Sequence, residues 1–84
     1  MGANKFLNYI MKKYNKTKME GKRVELNKLK PGDHFIFPTL YNGLIGELIS
    51  VDNNATVKWL NHPDRPQGKK EIIAATSEAF KYNL

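Results

Sequence analysis

Short apolar segments separated by turn-forming residues dominate the chain from position 29 onward. Five segments share this pattern: 34–37, 43–51, 55–60, 69–74 and 80–82. The stretches between them are rich in Pro, Gly, Asp and Asn, most clearly at 31–33, 52–54 and 61–68. Short strands at this spacing are typical of small all-β domains. The sequence therefore predicts a mainly β fold, with five strands closed into a small barrel.

An apolar stripe at helical spacing precedes these strands. It lies within residues 4–15 and comprises Phe6, Leu7, Ile10, Met11 and Tyr14. This spacing places the stripe on one side of an amphipathic α-helix, with Asn8 and several lysines opposite. Residues 15–22 have neither period, and 23–28 add at most a short extended piece. We therefore predict a basic helix and linker over 1–22 and the barrel over 23–84.

Length and cysteine content limit the class of protein. The chain has 84 residues and no cysteine, which leaves room for one domain with one small core and no disulfide. No apolar run approaches the length of a membrane span, and a chain without cysteine fits a cytoplasmic setting best. Lysine and asparagine far outnumber arginine, which suits an AT-rich coding genome such as that of a bacteriophage or a low-GC bacterium.

Three stretches of the chain carry a family resemblance. They are 29–37 (LKPGDHFIF), 43–51 (GLIGELISV) and 55–60 (ATVKWL). Together they resemble SH3-like barrels of the KOW and Tudor kind, which open with a Pro-Gly-Asp turn and continue with a Gly-x-x-Gly strand. Pro31-Gly32 presets a tight turn, and Asp33 is expected to bind backbone N–H groups just beyond it. Gly46 permits the bend or close approach that a small barrel needs.

The resemblance implies a binding module. KOW-type barrels commonly contact nucleic acids or the transcription and ribosome machinery, and Tudor-type barrels bind methylated side chains in an aromatic cage. Tyr41 stands in the loop where such barrels build their ligand surface, so we expect it to be exposed. Phe35, Phe37 and Trp59 fit core positions at strand spacing, and a cage is the alternative.

The positive charge is concentrated at the start of the chain. Residues 1–30 hold nine Lys/Arg and two Glu, a net of +7, whereas residues 31–84 hold five Lys/Arg and six acids, a net of −1. Clustered cations attract phosphates, and lysine acts as a point charge rather than a reader of base edges. The predicted nucleic-acid contacts are Lys12, Lys13, Lys16, Lys18, Lys22, Arg23, Tyr41, Arg65, Lys69 and Lys70. The alternative is an ordinary solvated surface.

The titratable residues suggest no catalytic chemistry. His34 and His62 are far apart, and no cysteine can complete a metal site. Asp33 and His34 adjoin each other, but no activated nucleophile accompanies them. We therefore predict a non-enzymatic nucleic-acid-binding accessory protein, for DNA or RNA, with low sequence specificity and no metal or cofactor. The alternatives are an adaptor that docks on a transcription, ribosome or host complex, and an oligomerising module that uses the helical stripe as its seam.

Overall fold

One antiparallel sheet of six strands forms the fold in the computed structural model, which describes residues 18–84. The strands are β1 (Met19–Glu25), β2 (His34–Phe37), β3 (Leu44–Val51), β4 (Asn54–Trp59), β5 (Lys70–Ala74) and β6 (Glu78–Tyr82). A short 3-10 helix, Leu26–Lys28, follows β1. The mainly β class is confirmed, and residues 18–84 contain no α-helix. The predicted N-terminal helix lies outside these residues.

The sheet is not a closed barrel. Its order is β1-β6-β2-β3-β4-β5, so β1 and β5 are edge strands. The five predicted strands could close only by pairing β5 with the free edge of β6. Here β1 occupies that edge, with Met19 opposite Tyr82 and Val24 opposite Ala79. The prediction of a closed five-stranded barrel is therefore wrong, because a sixth strand begins within the segment predicted to be linker.

The core lies on one side of the sheet and follows the alternation of β3 and β4. Successive side chains of a strand point to opposite faces, and Leu44 and Leu48 of β3 are buried while Glu47 between them is only partly covered. On β4 the buried residues are Ala55, Val57 and Trp59. The 3-10 helix region covers this face because Leu26 and Leu29 join the same hydrophobic cluster.

Gly46 creates the space on which this core depends. It pairs with Phe35 on β2 and with Trp59 on β4, and the Phe35 and Trp59 rings meet edge to face at 6.0 Å. A Cβ at Gly46 would lie 2.6 Å from Phe35 Cζ and 3.1 Å from Trp59 Cε3. Only glycine therefore leaves the two aromatic rings their present positions, as the expected close approach requires.

A Pro-Gly turn joins the 3-10 helix to β2. The Asp33 N–H donates to the Lys30 carbonyl at 2.9 Å, and Gly32 has φ +94°, which is the geometry of a type II turn with glycine at its third position. The Asp33 carboxylate accepts the Lys30 N–H at 2.9 Å. It thus binds the backbone before the turn, whereas the sequence predicted a bond beyond it.

Gly46→Ala tests the close contact. The added methyl group has no space between the two rings, so we expect the free energy of unfolding to fall by about 1–3 kcal/mol. Phe35→Leu shortens the side chain that the methyl group meets. The double variant should therefore lose less stability than the sum of the single losses. Urea denaturation measures all three, with exposed Ser50→Ala as a control within about 0.5 kcal/mol of the parent. Strict additivity would contradict the contact.

Candidate nucleic-acid interface

Two loops meet at one end of the sheet. The loop 38–43 follows β2 and the loop 60–69 follows β4. Because β2 and β4 are both antiparallel to β3, their carboxyl ends lie at the same end of the sheet. The arrangement brings together the two segments that the sequence marks as candidate ligand surface, namely Tyr41 and the residues after Leu60.

The Asn61 side chain joins these two loops. Its Nδ2 donates to the Gly43 carbonyl at 2.8 Å, and its Oδ1 accepts the Ile45 N–H at 2.8 Å. The amide thus continues the sheet by one residue, with a side chain in place of a backbone pair. The Leu60 N–H donates to the Ile45 carbonyl at 2.9 Å beside it. Together these bonds fix the loop 38–43 relative to the end of β4.

Tyr41 projects from this fixed loop. It has φ 48° and Asn42 has φ 59°, both in the left-handed region that non-glycine residues seldom adopt. Tyr41 is 48% exposed, as expected, and its ring lies 4.8 Å from the ring of His62. The His62 Nδ1 accepts the Asp64 N–H at 3.0 Å. The exposed Tyr41 ring and the half-buried His62 ring form an aromatic pair that spans both loops.

The larger aromatic residues nearby belong to the core. Phe35 is fully buried, Trp59 is 4% exposed, and Phe37 packs partly buried against the same cluster. These three rings contact one another at centroid distances of 5.5 to 6.2 Å. They therefore occupy the core positions that strand spacing predicts. An open cage built from them would require the core to be rearranged.

Glu71 anchors the loop 60–69 to the sheet and partly neutralises Arg65. One carboxylate oxygen accepts the Trp59 Nε1–H at 3.1 Å and also lies 3.2 Å from Arg65 Nη1. Arg65 thus contributes less free charge than the sequence suggests. Lys69 and Lys70 next to it are exposed, and no ion pair involves them in the described part of the chain.

Arg23 lies on β1, at the other edge of the sheet. Its guanidinium carbon is 5.8 Å from the centre of the Phe80 ring, within the range of a cation–π contact. The two residues line a cleft of about 220 Å³ together with Pro38 and Leu40. Arg23 is therefore close to the start of the Tyr41 loop, although four strands separate β1 from β5.

Three lysines surround a second concave surface, which we call the lysine pocket. Lys22, Lys28 and Lys81 line it above an apolar floor of Val24 and Leu29, and its volume is about 450 Å³. Glu20 also borders it, so the charge of the lining is +3 − 1 = +2. None of the three lysines forms an ion pair with another residue among positions 18–84.

The structure thus divides the predicted contact residues into two groups. Lys18, Lys22 and Arg23 are exposed on or next to β1, while Arg65, Lys69 and Lys70 are exposed at the β5 edge. Tyr41 lies between the two groups. Lys12, Lys13 and Lys16 lie outside the described residues and precede the first group in the chain.

The sequence interpretation missed Lys28, Lys81 and His62 as members of these surfaces. Lys28 falls in the basic segment, so the charge distribution could have identified it. Lys81 enters the lysine pocket because Lys81 is paired with Glu20 across β1 and β6. No local pattern reveals that pairing, since it joins strands from the two ends of the described chain.

Two kinds of feature, a metal site and a membrane-spanning helix, are missing from the described residues. No group of three or more His, Asp or Glu side chains is arranged to hold a metal ion in residues 18–84. Over the same residues, no helix has the length and apolar character needed to cross a membrane.

Comparison with known proteins adds no relative. No family model, curated protein or solved structure matches the chain. The function is therefore inferred from the surfaces described above.

Asn61→Ala tests whether one side chain fixes the two loops. The substitution leaves the Gly43 carbonyl and the Ile45 N–H without their partner, so we expect a loss of about 1–3 kcal/mol in unfolding free energy. Gln67→Ala removes an exposed amide from the same loop and should change stability by less than about 0.5 kcal/mol. Thermal melts of both variants provide the comparison. Equal melting temperatures would mean that the loops do not depend on Asn61.

Proposed function

We propose that this protein is a small, non-enzymatic, cytoplasmic accessory protein that binds the phosphate backbone of nucleic acid with low sequence specificity. The proposal is based on the lysine pocket, where Lys22, Lys28 and Lys81 lie around one concave surface. Glu20 also borders this surface, but none of the three lysines forms an ion pair within the described residues. Unpaired cations on a concave surface favour a polyanion, because binding releases the counterions of its phosphates.

The charge of the remaining chain supports the same proposal. Residues 18–84 carry ten Lys/Arg and eight Asp/Glu, a net of +2, and residues 1–17 carry four lysines and no acid, a net of +4. Residues 1–17 are followed in the sequence by Lys18 and then by β1, and residues of β1 line the lysine pocket. The most basic segment of the sequence is therefore close in sequence to a strand that borders the lysine pocket.

Lysine as the main cation favours backbone binding over base reading. A lysine ammonium group is a point charge, whereas base-edge recognition relies mainly on the forked donors of arginine. Of the two arginines, Arg65 is paired with Glu71 and Arg23 lies over Phe80. The Tyr41–His62 pair offers a stacking surface for an unpaired base. DNA and RNA both fit this chemistry. We also propose that the chain is related to SH3-like barrels, whose KOW-type members commonly contact nucleic acids.

A second candidate is a protein-interaction adaptor. Leu40 and Tyr41 are adjacent and each is 48% exposed. They project from a loop that Asn61 holds in place, and within this loop Tyr41 and Asn42 have positive φ angles. Strained, exposed apolar residues on a rigid scaffold are typical of binding sites. The partner would then be a protein of a transcription, ribosome or host complex.

The salt dependence of binding tests the first candidate. If four to six lysines contact phosphates of a short DNA duplex, log affinity should fall against log salt with a slope of about −4 to −5. The paired variant Lys22→Gln/Lys28→Gln should reduce the magnitude of this slope by about two. The matched control is Lys69→Gln/Lys70→Gln, which removes the same charge from exposed lysines at the opposite edge of the sheet. It should reduce the slope less.

Fluorescence anisotropy at several salt concentrations, with duplex DNA, single-stranded DNA and structured RNA, provides these slopes. Equal losses in the two variants would show that net charge rather than the lysine pocket determines binding. A strong preference for one short sequence would exclude backbone binding as the mechanism. If none of the three nucleic acids binds at low salt, the adaptor becomes the better explanation.

A further inference from the structure

The sheet has a second apolar face, opposite the core. Ile36 lies at its centre, since Ile36 adjoins Phe35 on β2 and therefore points to the other side. Ile45 of β3 and Phe80 of β6 pair with Ile36, and directly paired residues share a face. Tyr82 follows two positions after Phe80 on the same side. Four large apolar or aromatic side chains thus lie together on this second face.

The second face is more deeply buried than a solvent-facing sheet surface. Ile36 has no exposed area and Tyr82 is 5% exposed, yet neither belongs to the core cluster on the first face. Neighbours within a sheet shield only the sides of a central residue, so complete burial requires a second layer above it. Leu26 and Leu29, which lie outside the strands, already belong to the core cluster.

The start of the described chain lies beside this face. The Lys18 carbonyl accepts the Asn83 N–H at 2.7 Å, and Met19 pairs with Tyr82, which in turn pairs with His34 of β2. Two strand spacings therefore separate Met19 from His34, about 10 Å, and Ile36 is about 7 Å further along β2. The residues that precede Lys18 can reach Ile36 with only a few residues of connection.

We propose that the apolar stripe of residues 1–17 packs on this second face of the same molecule. The stripe consists of Phe6, Leu7, Ile10, Met11 and Tyr14. A helix of about three turns is about 16 Å long, which matches the breadth of three or four strands.

Charge favours this occupant over a second copy of the chain. Each chain has a net charge of +6, and residues 1–17 alone carry +4, so two such segments stacked together would repel each other. Within one molecule, the acidic Glu47 and Glu78 lie on the second face on either side of β2. Glu47 is opposite Lys58, whereas Glu78 is opposite a second carboxylate, that of Glu25. Lysines that flank the stripe would there find carboxylates of opposite sign. The inference is independent of nucleic-acid binding.

Crosslinking in the full-length chain tests the proposed contact. The protein has no cysteine, so a pair of introduced thiols reports on one contact only. We expect Ile10→Cys/Ile45→Cys to form an intramolecular crosslink several-fold more efficiently than Asn8→Cys/Ile45→Cys, because Asn8 lies on the opposite side of the predicted helix. The yield should not depend on protein concentration.

A second measurement leaves the sheet unchanged and does not depend on the double variants. Ile10→Asp should lower the melting temperature by about 5 °C or more, whereas the matched Asn8→Asp should shift it by about 1 °C. Equal crosslinking of the two cysteine pairs would overturn the proposal. So would crosslinked dimers, which indicate a second copy, or a melting temperature unchanged by Ile10→Asp, which leaves the face to another partner.

Discussion

The packing of the Phe35 ring against Gly46 is the contact on which the rest of this structure depends. The contact holds β2 against β3. Because Gly46 also pairs with Trp59 and the Trp59 ring packs beside it, β4 is held in register with the same two strands. Any side chain at position 46 would push the rings apart, since protein interiors are packed too densely to absorb an added methyl group. The register of three central strands therefore depends on the absence of one side chain.

That register positions the loops and the charges. With β2 and β4 parallel to each other on either side of β3, the loops 38–43 and 60–69 meet, and Asn61 joins them. Glu71 then ties Arg65 and Trp59 together beneath the second loop. At the other edge, pairing of β1 with β6 brings Lys22 and Lys81 to one concave surface. The surfaces are thus consequences of strand pairing and not of local sequence alone.

Local pattern predicted the central strands well because each is a short apolar segment bounded by turn-forming residues. The segment predicted as 34–37 coincides with β2, 43–51 begins one residue before β3, and 55–60 is displaced from β4 by one residue at each end. β1 escaped prediction because it is an edge strand of sequence MEGKRVE, mostly exposed and without an apolar period. The prediction of a closed barrel was wrong for the same reason. Because β1 was not predicted, nothing in the sequence indicated that the edge of β6 is already occupied.

The candidate surfaces were predictable only in part. The exposure of Tyr41 was expected from the resemblance to SH3-like barrels, and the core positions of Phe35 and Trp59 follow from strand spacing. The contact of Tyr41 with His62 and the position of Lys81 depend on pairings between distant segments. Charge counting identified a basic segment but could not show that Glu71 partly neutralises Arg65 while Lys22 and Lys28 remain unpaired within the described chain.

We propose that nucleic acid binds at the lysine pocket and leaves the sheet unaltered. Titration of the isotope-labelled 84-residue protein with duplex DNA at low salt, followed by amide NMR spectra, tests this proposal. We expect the largest shifts at Lys22, Lys28 and Lys81 and small shifts at Phe35, Gly46 and Trp59. Shifts confined to the β5 edge, or unchanged spectra at saturating DNA, would contradict it.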